Sequence, residues 1–217
     1  MYITNNLERL LGDKVTLRVF KILSKQNIGI TGRQLAIMAK TSTFKISHVL
    51  KDLVAQGLLF EEVVGKAHLY KLNAGHIFVQ KVVGPLLAFE RGLLPDLGSR
   101  LATQLKPQPI SIILFGSTAR GEETAASDFD CLLIYADQDS LPTDESLFRS
   151  MAEDFVHYYG NFLNIKVLHL GDFLKRLQLK DPLIINIAKE GKAIYGKTLV
   201  EIITDGKTSS DKERSEI

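Results

Sequence analysis

Apolar residues recur with helical spacing near the start of the chain and with strand-like runs towards its middle. Val15, Val19, Ile22 and Leu23 fall at i, i+4, i+7 and i+8, predicting an amphipathic helix over 14–25 that Asn27–Gly29 breaks. Thr31 is placed to cap a short second helix with Leu35, Met38 and Ala39 facing inward. Thr41 and Ser42 begin a third, in which Ile46, Val49, Leu50 and Leu53 form one stripe and Gly57 marks the end. Two β-type runs follow, 58–64 and 67–72, with Gly65-Lys66 at the turn. From 76 to 105 the helical pattern returns in Val82, Val83, Leu86, Leu87, Leu93, Leu94, Leu97 and Leu101. Pro85 and Pro95 are expected to start or kink segments there, since proline lacks the amide a straight helix needs. Lys106-Pro107-Gln108-Pro109 is expected to be an extended break.

Beyond that break the pattern changes. Ile110–Phe115 is a short apolar strand that runs into Gly116-Ser117, and ten residues later Asp128-Phe129-Asp130 opens a second apolar strand. Residues two apart on a strand share a face, so Asp128, Asp130, Leu132 and Ile134 point one way and Phe129, Cys131 and Leu133 the other. Two carboxylates about 7 Å apart along a strand repel each other without a cation. Oxygen ligands of this kind suit Mg²⁺ and, through it, a nucleoside triphosphate. Gly116 allows close backbone approach, Ser117 offers a hydroxyl and an amide to phosphate oxygens, and Arg120 is available to a phosphate or a carboxylate. The alternative is two surface acids following an unrelated Gly-Ser.

Charge divides the chain in the same place. Residues 1–80 hold 11 Lys/Arg and 5 Asp/Glu, whereas the whole chain has 27 and 25 and a net charge of only +2. A basic front suits polyanions, although scatter in surface charge gives the same count. The third-helix face opposite the apolar stripe carries Thr43, Phe44, Lys45, Ser47, His48 and Lys51. The single cysteine, Cys131, cannot pair within the chain, and its apolar strand predicts a buried thiol. No 18-residue apolar run exists and the first ten residues do not resemble a leader, so the expectation is a cytoplasmic protein without a membrane partner.

Three helices and a hairpin in this order resemble the winged helix-turn-helix domains of bacterial and archaeal transcription regulators. The matching residues are Leu17–Leu23, Ser42 with Ile46, Leu50 and Leu53, and Gly57-Leu58-Leu59 leading to a wing that closes on Leu69–Leu72. The resemblance implies double-stranded DNA as partner. Thr43, Lys45, Ser47, His48 and Lys51 would contact the major groove, and Lys66 the backbone phosphate. A winged helix used for dimerisation or protein binding is the alternative.

The stretch Gly116-Ser117, Ala119-Arg120-Gly121, Ser127 and Asp128-Phe129-Asp130 resembles the minimal members of the DNA polymerase beta-like nucleotidyltransferase superfamily, over about 106–196. That resemblance implies that Gly116 and Ser117 hold the β- and γ-phosphates while Asp128 and Asp130 bind magnesium, for transfer of a nucleoside monophosphate from NTP. Active members usually carry a third carboxylate on a later strand. In Phe162–Leu170 Lys166 is expected at that position, forming a salt bridge with the two aspartates; Asp172, Glu153 and Asp154 are possible substitutes.

The expected fold class is therefore α+β. It comprises a winged helix-turn-helix domain (1–75), a helical connector (76–105), a small mixed-sheet nucleotidyltransferase-like domain (106–203) and a disordered tail (204–217). The connector is apolar and would serve a homodimer. The competing functional readings are a DNA-directed transferase, a regulator whose transferase domain only binds nucleotide or protein, and an antitoxin-type partner protein. Gly191–Thr198 also satisfies the G-x-x-x-x-G-K-[ST] expression, but too few residues follow for the α/β domain that a phosphate loop requires.

Overall fold

The structure, a computed structural model, describes residues 10–205. The chain divides into two compact units, Met1–Arg91 and Gly92–Ile217.

In the first unit Asp13 caps helix α1 (Lys14–Leu23), its carboxylate accepting the Thr16 amide at 3.1 Å and the Thr16 hydroxyl at 2.9 Å. A short strand β1 (Ile30–Thr31) leads into α2 (Gly32–Met38), where Thr31 and Gln34 form a capping box. Ser42 caps α3 (Thr43–Ala55) by accepting the Lys45 amide at 3.2 Å. Gly57, at φ +75°, then turns the chain into β2 (Leu59–Val64), and Gly65, at φ +62°, turns it into β3 (Ala67–Leu72). The three strands lie in the order β1-β3-β2, all antiparallel. Val19, Phe20, Leu23, Leu35, Ile46, Leu50, Leu53 and Leu58 are all at most 2% exposed and fill one core. Burying each such side chain contributes about 1.5–3 kcal/mol. Met38, expected inside with Leu35 and Ala39, is 49% exposed, because α2 turns Leu35 and Ala36 to the core, followed by its cap residue Ala39.

A π-helical turn (Val79–Val83) runs directly into α4 (Gly84–Gln104). Pro95, expected to start or kink a segment, lies inside this helix. Its ring removes the donor for the carbonyl four residues earlier, Arg91, and the division between the two units falls at that same residue.

The second unit is built on a four-stranded mixed sheet. Its elements are β4 (Ser111–Phe115), α5 (Gly116–Arg120), β5 (Phe129–Tyr135), α6 (Glu145–Tyr159), β6 (Leu163–His169), α7 (Leu170–Gln178), α8 (Pro182–Glu190) and β7 (Lys192–Gly196). The order is β6-β5-β4-β7; β5 and β6 run parallel through the α6 crossover, and the other pairs are antiparallel.

Each face of the sheet has its own core. Ile112, Leu114, Phe129, Cys131 and Leu133 pack with Leu97, Leu101, Met151 and Phe155. Ile113, Phe115, Leu132 and Ile134 pack with Phe173, Ile184, Ile187 and Leu199. Cys131 is fully buried, and burial pushes its thiol well above the usual range, which keeps it inert. Gly191 precedes β7 and Gly196 ends it. A Cβ at Gly196 would fall 2.2 Å from the Ile110 carbonyl oxygen, and one at Gly191 2.5 Å from that of Ile187. Close backbone packing therefore accounts for both glycines of the phosphate-loop-like run. Residues 199–205 are helical, so Thr204 and Asp205 belong to a helix rather than to the expected tail; residues 206–217 lie outside the described residues. Among the described residues no helix is long and apolar enough to cross a membrane.

Candidate functional site

The site of the second unit is made where β4 ends. Gly116 leaves the strand at φ +75° and starts α5, with Ser117 next to it, both partly buried. Phe115 is opposite Asp130 in the antiparallel register, which brings the Asp130 side chain against the glycine. A Cβ at residue 116 would lie 2.6 Å from Asp130 Oδ2, so two independent constraints, dihedral and steric, demand glycine there. On the other flank, parallel pairing sets Asp130 opposite Asn164, whose Nδ2 donates to Asp130 Oδ1 at 2.9 Å. The Asp130 carboxylate is thus wedged between a glycine Cα and an amide.

Asp128 lies two residues earlier, exposed, at the mouth of β5. Phe129 between the two acids enters the opposite core, so the alternation directs both aspartates away from that layer. The approach to Asp128 is pinned: Asn161 Nδ2 donates to the Ser127 carbonyl at 3.0 Å, and Ser127 Oγ accepts the Thr124 amide at 2.9 Å.

Arg120 is engaged by two carboxylates. Its Nε donates to Glu122 at 2.7 Å and its NH1 to Glu190 at 2.8 Å, which holds the guanidinium above its already high pKa. A phosphate would have to compete with both.

Lys166 is not beside the aspartates. The β5–β6 register pairs it with Leu132, one pleat further along, and it takes part in none of the ion pairs among the described residues. Asn164 occupies the expected third-carboxylate position instead. The expected substitutes are elsewhere. Glu153 and Asp154 are on α6, which packs on the opposite face through Met151 and Phe155. Asp172 pairs with His169 at 3.2 Å. Among the described residues no group of three or more His, Cys, Asp or Glu side chains converges. Two hard carboxylates nevertheless fit Mg²⁺, which commonly takes one or two protein carboxylates and completes its shell with phosphate and water. Asn164 escaped sequence reasoning because the register of two parallel strands is set by the crossover between them and leaves no local signal.

In the first unit Thr43, Lys45, Ser47, His48 and Lys51 all lie exposed on α3, and Lys66 is exposed at the β2–β3 turn. Phe44, in the first turn of α3, is 86% exposed. Lys45 Nζ sits 3.3 Å from Asp13 Oδ1. Burial would raise the Asp13 carboxyl, but hydrogen bonds from Thr16 and the Lys45 ammonium outweigh it and hold the group below its ordinary value. The wing strands also carry Glu61, which accepts from His68 and from the Tyr70 hydroxyl at 2.9 Å, and Glu62, 3.5 Å from Lys71. Those two hydrogen bonds, His68 first, keep Glu61 charged to lower pH than usual.

Residues 101–198 match the family described as Polymerase beta, Nucleotidyltransferase. No curated protein matches the chain. Among solved structures, a predicted DNA-binding transcriptional regulator from E. coli is 17% identical, with a TM-score of 0.33, over 40% of this chain and 84% of its own. A MarR family transcriptional regulator from Silicibacter pomeroyi DSS-3 is 20% identical, with a TM-score of 0.34, over 42% and 68% respectively. The toxin-antitoxin MntA-HpeT, in mutant form, is 14% identical, with a TM-score of 0.36, over 56% and 90%. No activity transfers at such low similarity. The family match spans Gly116, Ser117, Asp128, Asp130 and Asn164: residues 101–198 are similar to the polymerase beta nucleotidyltransferase family, and the unit before them folds as three helices and a β-hairpin wing.

Proposed function

We propose that the second domain binds a Mg²⁺–NTP complex at Gly116, Ser117, Asp128 and Asp130 and transfers a nucleoside monophosphate to an acceptor, while the winged helix brings it to double-stranded DNA. The observation that carries this reading is the Asp130 carboxylate held between Gly116 and Asn164. A carboxylate fixed that tightly beside an amide-rich turn is preorganised, so binding needs little reorganisation. Gly116 and Ser117 would offer backbone amides, and Ser117 its hydroxyl, to the phosphate oxygens. Asp128 and Asp130 would hold the magnesium, which supplies charge neutralisation where phosphates and carboxylates meet. In the transfer the acceptor oxygen bonds to the α-phosphorus, pyrophosphate departs, and the acceptor proton is released.

That proton exposes the weak point of the site. An amide such as Asn164 cannot accept it, whereas a carboxylate could. Asn164 therefore favours a second reading, in which the domain binds nucleotide and regulates without efficient turnover, as a transcription regulator or as an antitoxin-type partner of another protein. A homodimer of the chain would present two α3 helices to two half-sites.

The test is the double variant Asp128→Asn, Asp130→Asn. Expected is loss of Mg²⁺-dependent nucleotide binding in a titration with fluorescent ATP, while duplex DNA binding persists. Equal nucleotide affinity in the variant would remove the metal-site argument. Pyrophosphate release with ATP, GTP, CTP or UTP then separates transfer from mere binding.

A further inference from the structure

A cavity of about 290 Å³ opens further along β5 and β6 from the aspartate pair, walled by Leu132 of β5, Lys166, Val167 and Leu168 of β6, Arg176 of α7 and Leu183, Ile184 and Ile187 of α8. Leu132 and Lys166 are one pleat, about 7 Å, along from Asp130 and Asn164. Its lining is apolar except for the two cations, and it contains no acid. Both Lys166 and Arg176 are exposed, and neither has a carboxylate partner among the described residues. Other basic side chains here do find one: Lys197 pairs with Asp205 and Arg120 with Glu122 and Glu190. Two unpaired cations over an apolar floor form a ligand site of the usual kind, with greasy walls and a few polar groups that fix orientation. An arginine and a lysine together match a phosphate dianion, the first through its fork and the second as a point charge.

We propose that this cavity binds a second, phosphate-bearing organic ligand, its phosphate between Lys166 and Arg176 and its apolar body on the partly exposed Val167, Leu168 and Leu183, next to the triphosphate site. The ligand is the acceptor where the domain transfers and an effector where it only binds. The proposal deepens the reading above, yet the cavity binds its ligand without a divalent cation, which makes the two separable.

The experiment uses the full chain and AMP as the probe, titrated by calorimetry in EDTA. Expected is binding in the low millimolar range or tighter, weakened about tenfold in Lys166→Gln and in Arg176→Gln. It should be unchanged in Lys175→Gln, a neighbouring exposed lysine outside the cavity, and not diminished in Asp128→Asn with Asp130→Asn. Inorganic phosphate should compete and adenosine should compete far more weakly, which assigns most of the recognition to the anion. No AMP binding, or equal affinity in Lys166→Gln and Arg176→Gln, overturns the proposal. So does mutual exclusion between AMP and Mg²⁺ with a non-hydrolysable ATP analogue, since the cavity would then be part of the triphosphate site. Loss of Mg²⁺–ATP binding alone, with AMP binding retained, would overturn the metal-site reading and leave this one standing.

Discussion

The aspartate site of the second domain and the α3 face of the first differ in how tightly structure dictates residue type. At the first, the identity of Gly116 follows from a dihedral and a 2.6 Å approach, and Asp130 has a neighbour on each side. On α3 the polar residues stand exposed, and among the described residues only Lys45 of them has an ion-pair partner. A wedged site is specified by its own packing; an open face is specified by whatever binds it.

Changing the most constrained residue should have the largest effect. Gly116→Ala places a side chain at positive φ, costing about 1–2 kcal/mol of stability, and pushes on the Asp130 carboxylate. Nucleotide affinity with Mg²⁺ should fall by about a hundredfold or more in a fluorescent-ATP titration, since misplacement by an ångström is heavily penalised at such sites. Unchanged affinity would show that the wedge is incidental. Asn164→Asp sharpens the comparison from the other side by installing the missing carboxylate. Pyrophosphate release should rise about tenfold or more in the presence of Mg²⁺, within the range of general-base contributions; an unchanged rate would locate the defect elsewhere.

On the open face, Lys45→Ala with Lys51→Ala should weaken duplex binding several-fold. The slope of log affinity against log salt should flatten by about 0.9 for each DNA phosphate that a lysine no longer neutralises. Identical salt titrations would favour the protein-docking role for the winged helix. The smallest effect expected is that of Asp13→Ala, which removes the α1 cap and the partner of Lys45, costing about 1 kcal/mol in a denaturant titration at neutral pH. Because the folded Asp13 carboxyl lies below its ordinary value, its contribution is present above the usual aspartate range. It is lost as pH falls through the depressed value, so wild type and variant should converge in acid.

Elements with a local cause were legible in the sequence. The caps at Thr31 and Ser42, the turn at Gly65 and the two-residue alternation of β5 each depend on neighbours a few positions away. What stayed hidden depends on distant partners. β1 exists only because Ile30 and Thr31 find Tyr70 and Leu69. Helix α4 continues through Pro95, where the pattern alone argues for a start or a kink, with Leu97 and Leu101 buried just beyond. Lys166 was one pleat out of place because nothing local fixes the offset of β6 against β5.

Gly98 sits against β7 so closely that an added Cβ would fall 2.1 Å from the Ile194 carbonyl oxygen. Leu97 and Leu101 beside it, and Leu105 just past the helix end, enter the same core, so the final turns of α4 are a lid on the four-stranded sheet. A fragment cut at the Lys106 break should lose that lid and aggregate, while one cut at Gly92 should stay folded. The place to separate the two halves is within a helix, not at its end.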